Sequence, residues 1–225
     1  MTFSIAGRCA RTNAFGVAIA TSSIAIGARC PYARAGVGAA TTQNVTDPAL
    51  GPLLLDLMER GLSARAAIEA ATQDRPHIAH RQLTAVDRNG VAACYSGSRI
   101  LGVHGESVRE NCVAAGNLLA DARVPEAMTA AFAATEDALL ADRLLAALQG
   151  ALEAGGEAGP VHSAALIVVT DAEYPYVNLR VDWSDSDPVG ALEALWRAYA
   201  PQAQAYMTRA RNPDAAPSYR VPGDF

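Results

Sequence analysis

The sequence predicts an α+β fold, a four-layer α-β-β-α sandwich, on three observations. Strand-like runs come in blocks joined by short turns, at 2–43, at about 81–117 and at about 163–182. Segments with period 3.6 come in paired blocks between them. No strand–helix–strand alternation of the kind that builds a parallel sheet is present. A chain of 225 residues can bury a substantial core and is most simply one domain, here 1–200, with 201–225 as a C-terminal extended arm.

The first 43 residues read as four short strands of an antiparallel meander. Residues 2–9 alternate near period two, Arg11, Thr12 and Asn13 reverse the chain, and FGVAIAT at 15–21 is an almost unbroken apolar run. SIAIGARC at 23–30 and AGVGAATTQ at 35–43 follow, separated at Pro31, and the meander's inner strands are rich in Gly and Ala, small residues that let helices or a second sheet pack close. Pro48, the stripe Leu53, Leu54, Leu57 and Met58, and Gly61 frame one helix, and 63–72 a second. HRQLTAVD and VAACYSG flank Arg88, Asn89 and Gly90, a hairpin signal because Asn and Gly tolerate positive φ. Residues 100–117 continue as strand. A long helix is expected over about 125–153, with a polar dip at 135–137 that can divide it. HSAALIVVT and YVNLRVDW give two further strands and PVGALEALWRAYA a last helix.

Composition excludes several function classes. The net charge of −5 and the lack of a basic cluster argue against nucleic acid as a partner, which needs a cationic face to displace counterions. No apolar run reaches the length that crosses a bilayer, and the N-terminal stretch lacks signal-peptide regions, so a soluble cytoplasmic protein with no membrane partner is expected. Cys9, Cys30, Cys94 and Cys112 form no CxxC pair and no histidine stands at metal-ligand spacing, so free buried thiols and no metal or cofactor are expected. All 18 basic residues are arginine, which removes Schiff-base and P-loop lysine chemistry.

Thr2 is the first candidate for chemistry. Loss of Met1 places a hydroxyl and a free α-amine on one residue, a nucleophile with its own base; the alternative is a β-former opening an edge strand. TFSIAGR, FGVAIATSS, IAIGARCPYARAGVGAATTQ, HRQLTAVDRNG, AAGNLLA, HSAAL and LRVDWSDSDPVGAL, in that order over about 2–199, resemble the domain family of unknown function numbered 1028. The fold of that family is similar to that of the N-terminal nucleophile (Ntn) hydrolases. The resemblance implies the α-β-β-α fold and a Thr2 whose hydroxyl attacks an amide carbonyl while its α-amine takes the proton.

Proteasome-like hydrolases set a lysine beside that threonine, and this chain has none. Arg29 is the expected substitute, with Arg34 second. Ser22, Ser23, Thr41, Thr42, Gln43 and Asn44 fall at strand ends where a site between sheets opens, and Gln43 and Asn44 suit orientation of a substrate amide or an oxyanion, or ordinary strand-end hydrogen bonding. Arg81 with Gln82, and Asn117, recur in the family's pattern and suit a carboxylate and a carbonyl. GGEAGPVHSAAL departs from that pattern, with His162 in place of a glutamine, as does Asp182-Trp183-Ser184 in place of Asp-Asp-His. Asp182, Asp185 and Asp187 read either as a metal site or as a capped helix start.

The expected function is amide hydrolysis of a small molecule, a cyclic amide or short peptide-like substrate, through a Thr2 acyl-enzyme. The alternative is an inactive Ntn-like binding or scaffold protein, and a Cys30 or Cys94 nucleophile is a third reading. The wide apolar face of the 125–153 helix, with the arm carrying Tyr206, Met207, Tyr219 and Phe225, predicts a homodimer.

Overall fold

The computed structural model describes residues 1–219. It is a mixed α+β structure of two antiparallel sheets and five α-helices among the described residues. The six-stranded sheet has the order β10-β9-β2-β1-β8-β7, from β1 (Thr2–Cys9), β2 (Ala14–Thr21), β7 (Gly105–Arg109), β8 (Cys112–Asn117), β9 (Ser163–Val169) and β10 (Val177–Val181). The four-stranded sheet is β3-β4-β5-β6, from β3 (Pro31–Arg34), β4 (Gly38–Asn44), β5 (Arg81–Asp87) and β6 (Ala92–Ser96). The helices are α1 (Leu50–Glu59), α2 (Ala64–Thr72), α3 (Val124–Ala134), α4 (Leu140–Glu153) and α5 (Pro188–Arg211).

Buried apolar residues fall into three clusters. One joins the six-stranded sheet to α3, α4 and α5 through Phe3, Ile5, Phe132, Leu144, Leu192 and Trp196. Another joins the four-stranded sheet to α1 and α2 through Leu50, Leu54, Met58, Ile68 and Leu83. The third draws on both sheets: Ala6, Val17, Ile19 and Val113 meet Ala39, Val86 and Ala92. Strand parity explains the division, since alternate side chains leave opposite faces. On β2, Phe15, Val17 and Ile19 enter the third cluster while Ala14, Ala18 and Ala20 face the helices. Both faces are therefore apolar, and the strand reads as one continuous run.

Gly7 and Gly16 are register partners on β1 and β2. A Cβ at Gly16 would lie 2.5 Å from the Ile167 carbonyl oxygen and 2.7 Å from Leu144, and one at Gly7 would lie 2.8 Å from the Phe132 ring. Small residues here let α4 and the neighbouring strand approach, as their abundance suggested. Gly16→Val is expected to cost about 2–3 kcal/mol through overpacking, measurable by urea denaturation.

Three expectations need correction. The first four strands do not form one meander: β1 and β2 belong to one sheet, β3 and β4 to the other. Residues 23–30 are not a strand; Ile26–Ala28 forms a 3-10 turn after Ala25 at φ 54°. Their backbone amides bond outward instead, Ala25 N–H to the Asp182 carbonyl and Ile26 N–H to Ser163 Oγ. Residues 201–211 are not extended but continue α5 through Pro201. Leu192, Trp196, Ala203 and Met207 are buried at helical spacing, and that stripe outweighs the one hydrogen bond proline removes. Tyr206 stacks on Tyr199, with ring centroids 5.7 Å apart, so this segment packs on its own chain; Phe225 lies outside the described residues.

The helix expected at 125–153 is divided into α3 and α4. Arg143, buried in α4, donates to the Phe132 carbonyl near the end of α3 and lies 3.9 Å over the Phe132 ring. Arg88, Asn89 and Gly90 make the expected turn, with Asp87 Oδ1 accepting from the amides of Asn89 and Val91. Among the described residues no helix is long and apolar enough to cross a membrane.

Candidate active site

Thr2 opens β1 and shares parity with Ser4 and Ala6, so its hydroxyl leaves the face of the six-stranded sheet that meets the other sheet. Thr21 closes β2 on that same face, in step with Phe15, Val17 and Ile19. Both threonines are buried. Their hydroxyl oxygens lie 3.1 Å apart and converge on one acceptor, the Met1 carbonyl, to which Thr2 Oγ1 donates at 2.5 Å and Thr21 Oγ1 also donates. Asn117, at the end of β8, is the register partner of Thr2.

Behind these hydroxyls runs a buried polar network between the sheets. Ser4 Oγ donates to Gln43 Oε1 at 2.6 Å, and Gln43 Nε2 donates to Gln82 Oε1 at 2.8 Å and to the Ala115 carbonyl at 3.2 Å. Gln82 Nε2 donates to the Gly116 carbonyl and to Ser96 Oγ, each at 3.1 Å, and its Oε1 accepts from Asn117 Nδ2 at 3.2 Å. Gln43 and Gln82 are register partners on β4 and β5, as Ser4 and Ala115 are on β1 and β8. The network thus fixes Asn117 and the start of β1 against the second sheet.

The other side of the site is built from the loop before β9. A bridge between Leu119 and Glu157, with the Ala120 amide on the Gly156 carbonyl and the Ala158 amide on the Leu118 carbonyl, folds this loop against the end of β8. Glu157 is only 5% exposed, and neither carboxylate oxygen has a hydrogen-bond partner. Burial pushes its carboxyl up to about 7, opposed by the Met1 α-amine, the Ser22 amide and His162. The same burial lowers the Met1 amine, and Glu157 acts against that shift. His162 donates its backbone N–H to the Thr21 carbonyl, sets Nδ1 2.9 Å from the Ser184 carbonyl, and stacks on Trp183 at 4.3 Å. Met1 fills this corner, its side chain lying where a Cβ on Gly159 would be, 2.9 Å from Cε.

The structure thus brings together Thr2, Ser22, Asn117 and His162 of the expected residues, with Gln43 one step behind. It adds Thr21 and Glu157, which the sequence reading missed. The parity of β2 marks Thr21, and the one acid in a Gly-Ala-Pro loop marks Glu157. Arg29 is a correction: its guanidinium donates to the Ile24 and Ala25 carbonyls of its own turn, and it makes no hydrogen bond to Thr2. Arg34 pairs with Asp56 and Glu59. Thr42 donates to the Asp47 carbonyl. Asn44 donates to the His80 carbonyl and accepts from the Leu101 amide, and Arg81 donates to the Val45 carbonyl; these ties hold loops together.

Burial raises the thiols of Cys30 and Cys94, the latter to about 12, which makes both poor nucleophiles. Asp187 caps α5 through the Gly190 amide at 2.8 Å, Asp182 pairs with Arg180, and Asp185 accepts from Trp183 Nε1, so the three carboxylates point to separate partners. A groove of about 390 Å³ lined by Cys9, Arg11, Tyr176 and Met207 lies at the far end of β1.

The crystal structure of a protein from Silicibacter pomeroyi, assigned to DUF1028, superposes with a TM-score of 0.82 at 34% identity, covering 88% of this chain and 89% of that one. Anbu (ancestral beta-subunit) from Yersinia bercovieri is matched at a TM-score of 0.41 and 9% identity, over 97% of this chain and 100% of that one. Anbu from Hyphomicrobium sp. strain MC1 is matched at 0.40 and 11%, over 92% and 98%. No curated protein matches. The description "Family of unknown function (DUF1028)" covers residues 2–192, and the chain belongs to that family.

Proposed function

We propose that the chain is an amide-bond hydrolase of the N-terminal nucleophile type, acting on a small molecule such as a cyclic amide or short peptide-like substrate once Met1 is removed. The observation that carries this reading is the convergence of the Thr2 and Thr21 hydroxyls on one carbonyl oxygen. The three apolar clusters support the matching four-layer α-β-β-α order, with helices, sheet, sheet and helices in sequence.

In this mechanism the Thr2 hydroxyl gives its proton to its own α-amine, directly or through water, as Oγ1 bonds to the amide carbon. An α-amine of ordinary pKa about 7.7–8.0 is poised to accept near neutral pH. Burial lowers the Met1 amine in this corner, and in the processed chain such burial would favour the neutral form of the Thr2 amine as a neighbouring cation does elsewhere. The Thr21 hydroxyl donates to the oxygen that gains charge. The proton passes to the leaving amine as the C–N bond breaks, and water then clears the ester. Thr21→Val is expected to slow acylation by about 10²-fold, the usual cost of one lost oxyanion donor, measured by burst kinetics.

Intact mass of the purified chain tests the reading. Loss of Met1 is expected, and quantitative retention of Met1 in active protein contradicts it, because an acylated amine is no base. We further propose a homodimer through the α5 side, where Leu195 and Tyr206 are exposed. Light scattering at micromolar concentration is expected to give twice the chain mass, and a monomer mass removes the proposal.

A further inference from the structure

We infer that the site takes α-aminoacyl amides, with Glu157 receiving the free α-ammonium of the acyl residue and the space beside Gly159 its side chain. This rests on the reading of Thr2 as the nucleophile. Met1 is an acyl group on the Thr2 nitrogen, and the O-acyl Thr2 intermediate is its constitutional isomer. Met1 therefore occupies the neighbourhood an acyl-enzyme would fill, and its three functional parts each meet a distinct feature. Its carbonyl accepts from the hydroxyls of Thr2 and Thr21. Its α-amine lies within electrostatic reach of Glu157 without forming an ion pair with it. Its thioether lies against Gly159, where a Cβ would come 2.9 Å from Cε and 3.2 Å from Sδ.

Glu157 makes the case more than a packing accident. It is a carboxylate 95% removed from solvent by its 5% exposure, with both oxygens unpartnered, in a protein whose other buried side-chain polar atoms are nearly all paired among the described residues. A buried, unpaired acid is costly and calls for a cationic partner. The groups that act on it electrostatically are the Met1 amine, the Ser22 amide and His162, none of them at hydrogen-bond geometry, and loss of Met1 replaces the first with the Thr2 α-amine one residue further on. The vacated corner then holds an acid, the Thr21 hydroxyl as carbonyl donor beside the Thr2 nucleophile, and an apolar slot, the three kinds of group that the amine, carbonyl and side chain of one amino acid call for.

The reaction balances without a co-reactant beyond water. Thr2 Oγ1 bonds to the carbonyl carbon of the α-aminoacyl group, the amide C–N bond breaks, and the leaving amine departs with the proton taken from the hydroxyl. Water then hydrolyses the ester, releasing a free α-amino acid and restoring Thr2.

The test uses the Met1-processed full chain with L-methionine p-nitroanilide and its des-amino counterpart, 4-(methylsulfanyl)butanoyl p-nitroanilide. Wild type is expected to favour the amino substrate in kcat/KM by about 100-fold, the scale of a lost buried charge partner. In Glu157→Gln that ratio is expected to fall to near one, with partial recovery in Glu157→Asp. Gly159→Val should lower turnover of the methionine anilide relative to the alanine anilide. A β-lactone without an amine separates the two levels of failure by labelling Thr2 independently of Glu157. If Thr2 is labelled but wild type shows no preference for the amino substrate, or Glu157→Gln slows both anilides equally, the inference is overturned. The second outcome would make Glu157 a partner of the Thr2 amine instead. If Thr2 is not labelled, the hydrolase reading itself fails.

Discussion

Gln43→Leu is expected to destabilise the protein by about 3 kcal/mol or more, since each buried polar group left without a partner costs about 1–3 kcal/mol. Gln43 is fully buried and makes three hydrogen bonds, one from Ser4, one to Gln82 and one to the Ala115 carbonyl. Leucine fills a similar volume, so the loss is that of the hydrogen bonds and not of packing. Ser4 and Ala115 belong to one sheet and Gln82 to the other, so the side chain is a polar tie across the sheet interface, beside those Gln82 makes to Gly116 and Asn117. Ser4→Ala in the same background should restore part of the loss by removing one orphaned hydroxyl. A double-mutant cycle by urea denaturation is expected to show coupling of about 1 kcal/mol, and strict additivity would mean the network is loose in solution.

Glu157→Gln is expected to stabilise the fold at alkaline pH and to do little in acid. The folded carboxyl is raised from its ordinary 4.5 to about 7. The folded state therefore binds the proton more tightly than the unfolded state. Its contribution is fully present below pH 4.5 and is lost as pH rises through about 7. The span corresponds to about 3 kcal/mol at 1.36 kcal/mol per unit. The stability difference between Glu157→Gln and wild type should be near zero at pH 4.5 and approach that figure at pH 8, read from denaturation midpoints at both. A constant difference across the range would show that the carboxyl is not held in its uncharged form. The same substitution that stabilises the fold is expected to abolish preference for an α-amino substrate, the trade expected where a strained charge serves binding.

Much of the fold was legible because it rests on local chemistry. The turn at 88–90 is written in Asn89 and Gly90, the cap of α5 in Asp187, and the close packing over β1 and β2 in Gly7 and Gly16. The misread elements depend on distant partners. Residues 23–30 alternate like a strand, yet their amides find Ser163 and Asp182, more than a hundred residues away. The helix through Pro201 is held by Ala203 and Met207, whose burial depends on contacts outside their own segment. The site divides the same way. Thr2 and Asn117 stand out by position and type, whereas Glu157 is an unremarkable loop acid until the bridge to Leu119 buries it. Arg29 was expected to assist Thr2 on the assumption that 23–30 is a strand, and it fails with that assumption: in a turn its guanidinium satisfies the nearest carbonyls.

The most direct test of the central claim is to identify the atom that reacts. Crystals of the Met1-processed chain soaked in a β-lactone, with peptide mapping of the same adduct in solution, name the nucleophile without knowledge of the substrate. The account predicts continuous density and a mass increment on Thr2 Oγ1, absent in Thr2→Ala and reduced in Thr21→Val. An adduct on Cys30 or Cys94, or labelling undiminished in Thr2→Ala, would contradict it.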